Sequence, residues 1–565
     1  MIDFKIKVVD KLEELKLDIS REEIISLIEI PPESSMGDYA FPVFKFAKTF
    51  KKAPNLIAEE LAGKLTKGEF FSNIVNTGPY INFFVNNELL TKEVLEGVLN
   101  NKKFGSKNIG LGKTAIVEFS STNIAKPFHI GHLRSTVIGN SINNILKYQD
   151  YNTVAINYIG DYGTQFGMMI SAYKKWGSKE IIDRDPINGL LDLYVRYNKE
   201  AKENEVLMDE ARYWFDRLEK KDKEALELWQ WFKDISLKEF NRVYELLGVK
   251  FDNYNGEAYH SQFMGEVIKE LEEKNLLKES EGAIIVDLEK YDLPPVLIKK
   301  SNGSSTYITR DIATAIYRKK TYDFYKNNYV VASQQRLHFQ QLVAVLKEMG
   351  YEWADDCVHV SFGMVSMKDG AMKTREGKVI FLEEVLNQAI SKTNEIIENR
   401  NPDLENKEKV AKEIGVGAII FQDLFNNRIK DYVFDWDQVL NFDGETGPYV
   451  QYANARASSI LNKVNFQVEE NVDYTLLKEE EEIAIIKILD NFSNVLENAA
   501  NKLEPSFVTR YSVELAKAFN RFYNSCPISS AEENLKSARL LLTYATKVVL
   551  TTSLNLLGIA APEKM

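Results

Sequence analysis

The chain is 565 residues long, with 71 basic and 83 acidic side chains, a formal net charge of −12, 44% hydrophobic residues and 27% charged residues. That length exceeds what one hydrophobic core serves and predicts about three to four domains, while the acidic balance argues against a non-specific nucleic-acid coat and leaves room for a specific RNA partner. Two distant cysteines without C-x-x-C spacing, Cys357 and Cys526, exclude a disulfide framework or a cysteine-rich zinc site and fit a reducing cytoplasm; no apolar run approaches the about 18 residues of a membrane helix, and the amphipathic start MIDFKIKVVDKLEELKL lacks a signal-peptide core.

Residues 1–105 mix helical and strand-like patterns. KLEELKL and NLIAEELAGKL (55–65) have helical spacing, and FSNIVNTGPYINFFVN (71–86) reads as two short strands around a Gly-Pro turn. The Gly-rich FGSKNIGLGK (104–113) reads as a linker. Its GLGKT is no phosphate loop, because Lys107 stands where that motif needs glycine; nor is it a dinucleotide fingerprint, because it precedes a strand instead of following one.

From Thr114 a strand (AIVEFSS), a helix (131–149) and a strand (NTVAINYIG) form a βαβ unit and predict a parallel sheet. The helix has Leu133, Val137, Ile138, Ile142 and Leu146 on one face. Residues 178–248 read as a charged helical insertion, after which the α/β pattern resumes near FDNYNGEAY and continues in NYVVAS and HVSFGMV. Beyond Phe381 the chain reads as almost wholly helical.

Between the first strand and its helix stands His129-Ile130-Gly131-His132, holding two of the five histidines. The carboxyl end of a parallel strand is where open α/β sheets bind ligands, and a helix start offers free N–H groups to an anion. Two imidazoles at i and i+3 share a face. Lys126 and Arg134 nearby mark a basic locale, which speaks against two chance core histidines, and a zinc pair lacks a third ligand at metal spacing. A nucleotide-phosphate site leads.

The longer stretch VEFSSTNIAKPFHIGHLRSTVIGN, followed in order by NYIGDYGTQFG, TYITRDIATAIYR, ASQQRLHFQQL, MKTREGKVIFLEEVL, GETGPYVQYANARASSIL, YSVELAKAFNRFYNSCPI and LGIAAPEKM, resembles the arginyl-tRNA synthetases of class I over nearly the whole chain. The resemblance implies a Rossmann-like α/β catalytic core (106–371), an N-terminal α+β tRNA-binding domain (1–105), a stem-contact helical region (372–440) and an all-α anticodon-binding bundle (441–565). It implies activation of L-arginine by ATP to arginyl-adenylate and pyrophosphate, then transfer to the 2′-hydroxyl of the terminal adenosine of the tRNA. ATP brings Mg2+ as a substrate complex. No structural zinc, DNA or membrane partner is expected, and a cytoplasmic monomer is.

The arginine carboxylate that attacks the α-phosphate is already ionised, so the first step asks for positioning and charge stabilisation, not a general base. By resemblance Lys126, His129, His132, Lys373 and Arg375 supply it, with Gly131, His338 and Met372 also at the ATP. The second family signature is degenerate here, reading Ala371-Met372-Lys373-Thr374-Arg375-Glu376-Gly377-Lys378, and Lys126 stands where a compensating lysine is expected; which of Lys373, Arg375 and Lys378 touches phosphate stays open. A guanidinium presents five donors in a fixed fork, and the family implies Glu118, Asn123, Tyr307, Asp311 and Gln335 as its acceptors and pocket wall. Such polar recognition makes an editing domain unnecessary.

Asp161, Gly163 and Gln165 fit either a role near the adenylate or a structural turn. Tyr449, Tyr452, Phe519, Phe522 and Tyr523 offer base-stacking rings, but the stripe Val508, Tyr511, Leu515, Ala518, Phe519 and Phe522 has core spacing, leaving Tyr452 and Arg456 as the preferred RNA contacts. The alternatives are another class I synthetase, of cysteinyl or glutamyl type, or a non-catalytic tRNA-binding regulator.

Overall fold

The computed structural model describes residues 2–126, 128–301, 306–367, 381–468 and 472–565. The chain forms two compact units, one made of Met1–Phe104, Ala457–Phe492 and Glu514–Val549, the other of Gly105–Arg456, Ser493–Val513 and Leu550–Met565.

In the smaller unit an antiparallel sheet of order Tyr39–Pro42, Tyr80–Val85, Phe71–Thr77 lies against helices Phe4–Glu13 and Pro54–Lys64. The two strands read from 71–86 are present, joined by Gly78-Pro79, with Gly78 in the left-handed region at φ 56°. Helix Asn87–Asn100 packs on Glu480–Asp490, where Lys487 pairs with Asp38 at 2.5 Å. Inside that unit the buried Arg539 donates to Glu482 at 2.7 Å.

The larger unit is built on four parallel strands in the order Cys357–Phe362, Lys326–Ala332, Thr114–Glu118, Asn152–Ile156. Ala115, Ile116 and Val117 are all at most 1% exposed, as expected of a strand covered on both faces. The predicted helix runs Leu133–Tyr148 after a 3-10 turn, Ile130–His132. Its apolar stripe is buried, but so are Arg134, Asn140 and Ser141 on the polar side. The periodicity shows one buried face because it does not see that the other face meets later chain: Ser141 Oγ donates to the Leu556 carbonyl at 3.0 Å, and Arg134 donates to the Gly363 and Lys430 carbonyls. At Gly139 a Cβ would lie 2.1 Å from the Phe119 Cβ, so the helix needs glycine to reach the strand end.

The insertion is helical, from Lys179–Arg184 to the long Lys223–Leu247, and the chain then returns to the sheet through an Ile156–Asn253 bridge. An antiparallel sheet of Leu277–Ser280, Ala283–Val286 and Val296–Lys299 follows, which the sequence reading did not assign. Its first turn, Glu281-Gly282, takes φ 50° and 75°, the two positive values of a type I′ hairpin. Among the described residues beyond Phe381 the regular elements are helical apart from a short strand, Tyr432–Phe434, paired in parallel with Val365–Met367. Among the described residues no helix is long and apolar enough to cross a membrane.

Candidate active site

The first strand ends at Glu118, and the six residues from Ser120 to Ala125 hold three non-glycine residues in the left-handed region: Ser120 (φ 67°), Ser121 (φ 48°) and Ala125 (φ 59°). Each costs about 1–3 kcal/mol and persists only where surrounding contacts over-determine it. Those contacts are present. The Ser120 N–H donates to Ser135 Oγ at 2.9 Å, Ser120 Oγ lies 2.8 Å from the Tyr244 hydroxyl, and the Ala125 N–H donates to Ser236 Oγ at 3.0 Å. Asn123 bridges to Gly160 after the second strand, where a Cβ would fall 2.2 Å from the Asn123 side-chain oxygen. The strained turn thus presents Asn123, Lys126 and the two histidines at the carboxyl edge of the sheet.

His129 and His132 stack with ring centroids 3.9 Å apart. His129 Nδ1 accepts the Gly131 N–H at 3.1 Å, and His132 Nδ1 accepts the His129 N–H at 3.3 Å. Because a backbone N–H only donates, both Nδ1 atoms are bare, and each neutral ring carries its proton on Nε2. Burial, with His129 and Lys126 adding positive charge beside it, pushes the His132 imidazole down to about 3. Burial and Lys126 lower His129 as well. Near neutral pH the pair is therefore two uncharged Nε2–H donors, and positive charge at this edge comes from Lys126, whose ammonium lies 5.5 Å from the Tyr194 ring centre.

The acidic residues converge from other elements. Helix Tyr307–Tyr322 begins at Tyr307, which is exposed, and places Asp311 one turn on. Asp311 Oδ2 lies 2.7 Å from His338 Nε2, and the Tyr158 hydroxyl donates to Oδ1 at 3.4 Å. Burial works against charging His338, but the hydrogen bond and charge of Asp311, with Glu118 behind it, hold its imidazole above the ordinary value. Glu118 is 5% exposed and meets Arg318 of the same helix at 2.6 Å. Burial raises the Glu118 carboxyl while Arg318 opposes the rise. The Arg318 guanidinium lies 5.4 and 5.5 Å from the ring centres of Tyr158 and Tyr329. Gln335 is exposed at the end of the turn that follows the third strand.

Sequence reasoning did not single out Arg318 or Tyr158. The signal was available in TRDIATAIYR: Arg318 is seven residues after Asp311, hence on the same helix face, amid apolar neighbours. His338, expected at the ATP, stands on Asp311. Asp161 is fully buried, accepting from Lys233 Nζ and the Ala258 N–H, each at 2.8 Å, the arrangement of a structural turn residue. Met372, Lys373, Arg375 and Lys378 lie outside the described residues. Chain on either side of that segment touches the histidine element: Phe381 bridges to His129, the Leu382 N–H donates to the Phe128 carbonyl at 2.9 Å, and Arg134 donates to the Gly363 carbonyl at 2.8 Å.

Residues 94–436 match the family described as class I (R) tRNA synthetases, catalytic domain. Over the full length of both chains the sequence is 57% identical to an arginine–tRNA ligase of Halothermothrix orenii and 53% identical to one of Clostridioides difficile. The chain belongs to the arginine–tRNA ligase family. A solved Thermus thermophilus arginyl-tRNA synthetase superposes with a TM-score of 0.80 at 25% identity, covering 100% of this chain and 99% of that one. Two further modules flank the catalytic one: residues 3–85 match the arginyl-tRNA synthetase N-terminal domain and 450–565 the DALR anticodon-binding domain. In the latter, Phe519 and Phe522 are fully buried and so cannot stack on bases, whereas Tyr452 is 42% exposed with the Arg456 guanidinium 4.8 Å from its ring centre.

Proposed function

We propose that this arginine–tRNA ligase seats the guanidinium of L-arginine on Asp311, against a wall made by Glu118, Asn123, Tyr307 and Gln335, and turns its carboxylate toward an ATP α-phosphate held by the Nε2–H groups of His129 and His132. The observations that carry this reading are the pair of backbone-fixed histidine tautomers just beyond the first strand and the Asp311 carboxylate, which neighbours Glu118 at the end of that same strand. The carboxylate oxygen attacks phosphorus, pyrophosphate leaves, and charge building on the phosphate oxygens meets preorganised donors. In the second step the 2′-hydroxyl of the tRNA's terminal adenosine takes the arginyl group and AMP leaves. Lys126 supplies the fixed positive charge that the two neutral histidines do not. Lys373 and Arg375 act on the pyrophosphate side, and Tyr452 and Arg456 contact RNA. Mg2+ enters with ATP as part of the substrate complex. Two buried, unpaired cysteines suit action in a reducing cytoplasm.

ATP–pyrophosphate exchange, run one amino acid at a time with and without arginine-accepting tRNA, tests this. Exchange should depend on arginine. Asp311→Asn should raise the KM for arginine by about 100-fold, the scale of removing one partner of a charged hydrogen-bonded pair. A normal KM in that variant contradicts the pocket, and a wild-type activation rate in Lys126→Ala contradicts the role given to Lys126.

A further inference from the structure

Neither pocket carboxylate is bare: each already meets a basic side chain of the chain itself. Glu118 holds Arg318 at 2.6 Å, and that guanidinium is 1% exposed and enclosed by two tyrosine rings, so it is a permanent occupant. Asp311 holds His338 at 2.7 Å, and this pair differs: both side chains are about a quarter exposed (25% and 24%), and His338 stands in the first turn of its helix, where rotation about its side-chain bonds takes it off the carboxylate. A substrate guanidinium binds a carboxylate best through two parallel N–H donors, one to each oxygen. In the structure one of those oxygens, Oδ2, is taken by His338.

We propose, on the reading that Asp311 receives the guanidinium, that His338 is a proton-linked placeholder: as an imidazolium it occupies Asp311 in the empty pocket, and it gives up both the carboxylate and its proton when arginine binds. The arriving guanidinium brings one positive charge to Asp311 and the imidazolium releases one proton to solvent, so the charge of the seat is unchanged. Without the placeholder the empty site would hold a partly buried carboxylate with no cation, which is costly.

The surroundings set the direction. From the pocket helix His338 meets Asp311, and from the first strand it feels Glu118; the Tyr158 hydroxyl, from beyond the second strand, donates to the other oxygen of Asp311. On its own helix stands Arg336, and from the fourth strand His359 stacks on the adjoining Phe339. The acids raise the His338 imidazole in the free pocket; with Asp311 neutralised by substrate, burial acts to lower it. His359 is lowered chiefly by burial and stays neutral. Two further titratable groups feel Asp311: His260, lowered to about 4 chiefly by burial, and Glu257, which faces Arg310 and whose carboxyl burial pushes up to about 7, so that among the described residues Glu257 competes for the assignment near neutral pH.

The sign follows. Below the raised His338 value, arginine binding releases up to about one proton, and affinity falls by up to about tenfold per pH unit as pH drops; above it, release fades to zero. The test is titration calorimetry of the full chain with L-arginine at pH 6, 7 and 8.5, in paired buffers of different ionisation enthalpy. Wild type should release a proton at pH 6 and none at pH 8.5; His338→Asn should release none, with affinity flat across the range; Glu257→Gln should keep the release. Unchanged release in His338→Asn, or loss of release confined to Glu257→Gln, overturns the proposal. If His338→Asn fails to fold, carbon-13 NMR of the wild type serves, because only five histidines contribute. The His338 Cε1 signal should titrate at a lower pH with arginine bound, and no change on binding overturns it. Asp311→Asn separates the levels: normal arginine affinity there removes the pocket reading itself, whereas lost affinity with unaltered His338 behaviour removes only the placeholder.

Discussion

The two histidines gain their chemistry from where the backbone points. Each Nδ1 is spent accepting an N–H, which leaves Nε2 as the ring atom that can donate to a ligand in the role proposed above. Glutamine places its amide nitrogen near the Nε2 position and asparagine places its amide near Nδ1. His129→Gln should therefore keep more of the adenylation rate than His129→Asn, which should lose about 100- to 1,000-fold, the cost of one oxyanion donor. Single-turnover adenylate formation checks this, and equal losses would show that the donor is not Nε2. Neutrality has its own cost. With His132 held at about 3 in the fold, its contribution to stability is complete above the ordinary value of 6.5 and is lost as pH falls toward 3. Between pH 7 and pH 5 the wild type should lose about 1–2 kcal/mol more than His132→Asn, read from the shift in denaturation midpoint. The motif made these two residues legible from sequence, because their spacing and the strand before them are local facts. The role of Arg318 was not, because a basic residue on a helix is equally consistent with solvent until the strand opposite is known to bring Glu118.

At the scale of elements, one buried network joins the histidine helix to the chain around the second signature. Arg134 donates to the carbonyls of Gly363 and Lys430 at 2.8 and 2.9 Å, lies 3.4 Å from Asp423, and Asp423 accepts the Tyr432 hydroxyl at 2.9 Å. Arg134 and Asp423 are at most 1% exposed, and burial raises the Asp423 carboxyl against the pull of Arg134. Removing one partner of such a pair strands the other charge, at about 3–5 kcal/mol, whereas removing both is far milder. Arg134→Met should lower the thermal midpoint sharply and Arg134→Met with Asp423→Leu should recover much of the loss; additive losses would mean that the pair is not coupled. The sequence marked Arg134 only as part of a basic locale. Helical period predicts a buried apolar stripe and a wet polar face, and that rule fails here because the polar face is covered by segments more than 200 residues away. The parallel core, by contrast, was legible because strands covered on both faces read as continuous apolar runs whatever covers them.

At the scale of the whole molecule, local pattern says which segments are helical and not which segments meet. The smaller unit joins residues 1–104 with 457–492 and 514–549, and charged groups meet where these segments adjoin. Asp490 ends helix Glu480–Asp490, where the helix dipole already disfavours negative charge. Burial, with Asp3 and Asp38 from the N-terminal segment adding like charge, lifts its carboxyl to about 6. Lys487, one turn earlier on the same helix, is engaged by Asp38. For an acid raised in the fold, stability is complete below its unfolded value near 4 and is lost as pH climbs through about 6. At pH 8 the ionised Asp490 should therefore cost this unit about 2–3 kcal/mol, and Asp490→Asn should recover most of it. The measurement is the thermal midpoint of wild type and Asp490→Asn at pH 5 and pH 8. A gain at pH 8 that shrinks at pH 5 identifies the seam as an acid-stabilised contact; an equal gain at both would mean that amide packing, not charge, sets it. Because the groups concerned come from opposite ends of the chain, a pH-dependent gain would also show that the N-terminal segment and the distant helices unfold as one body.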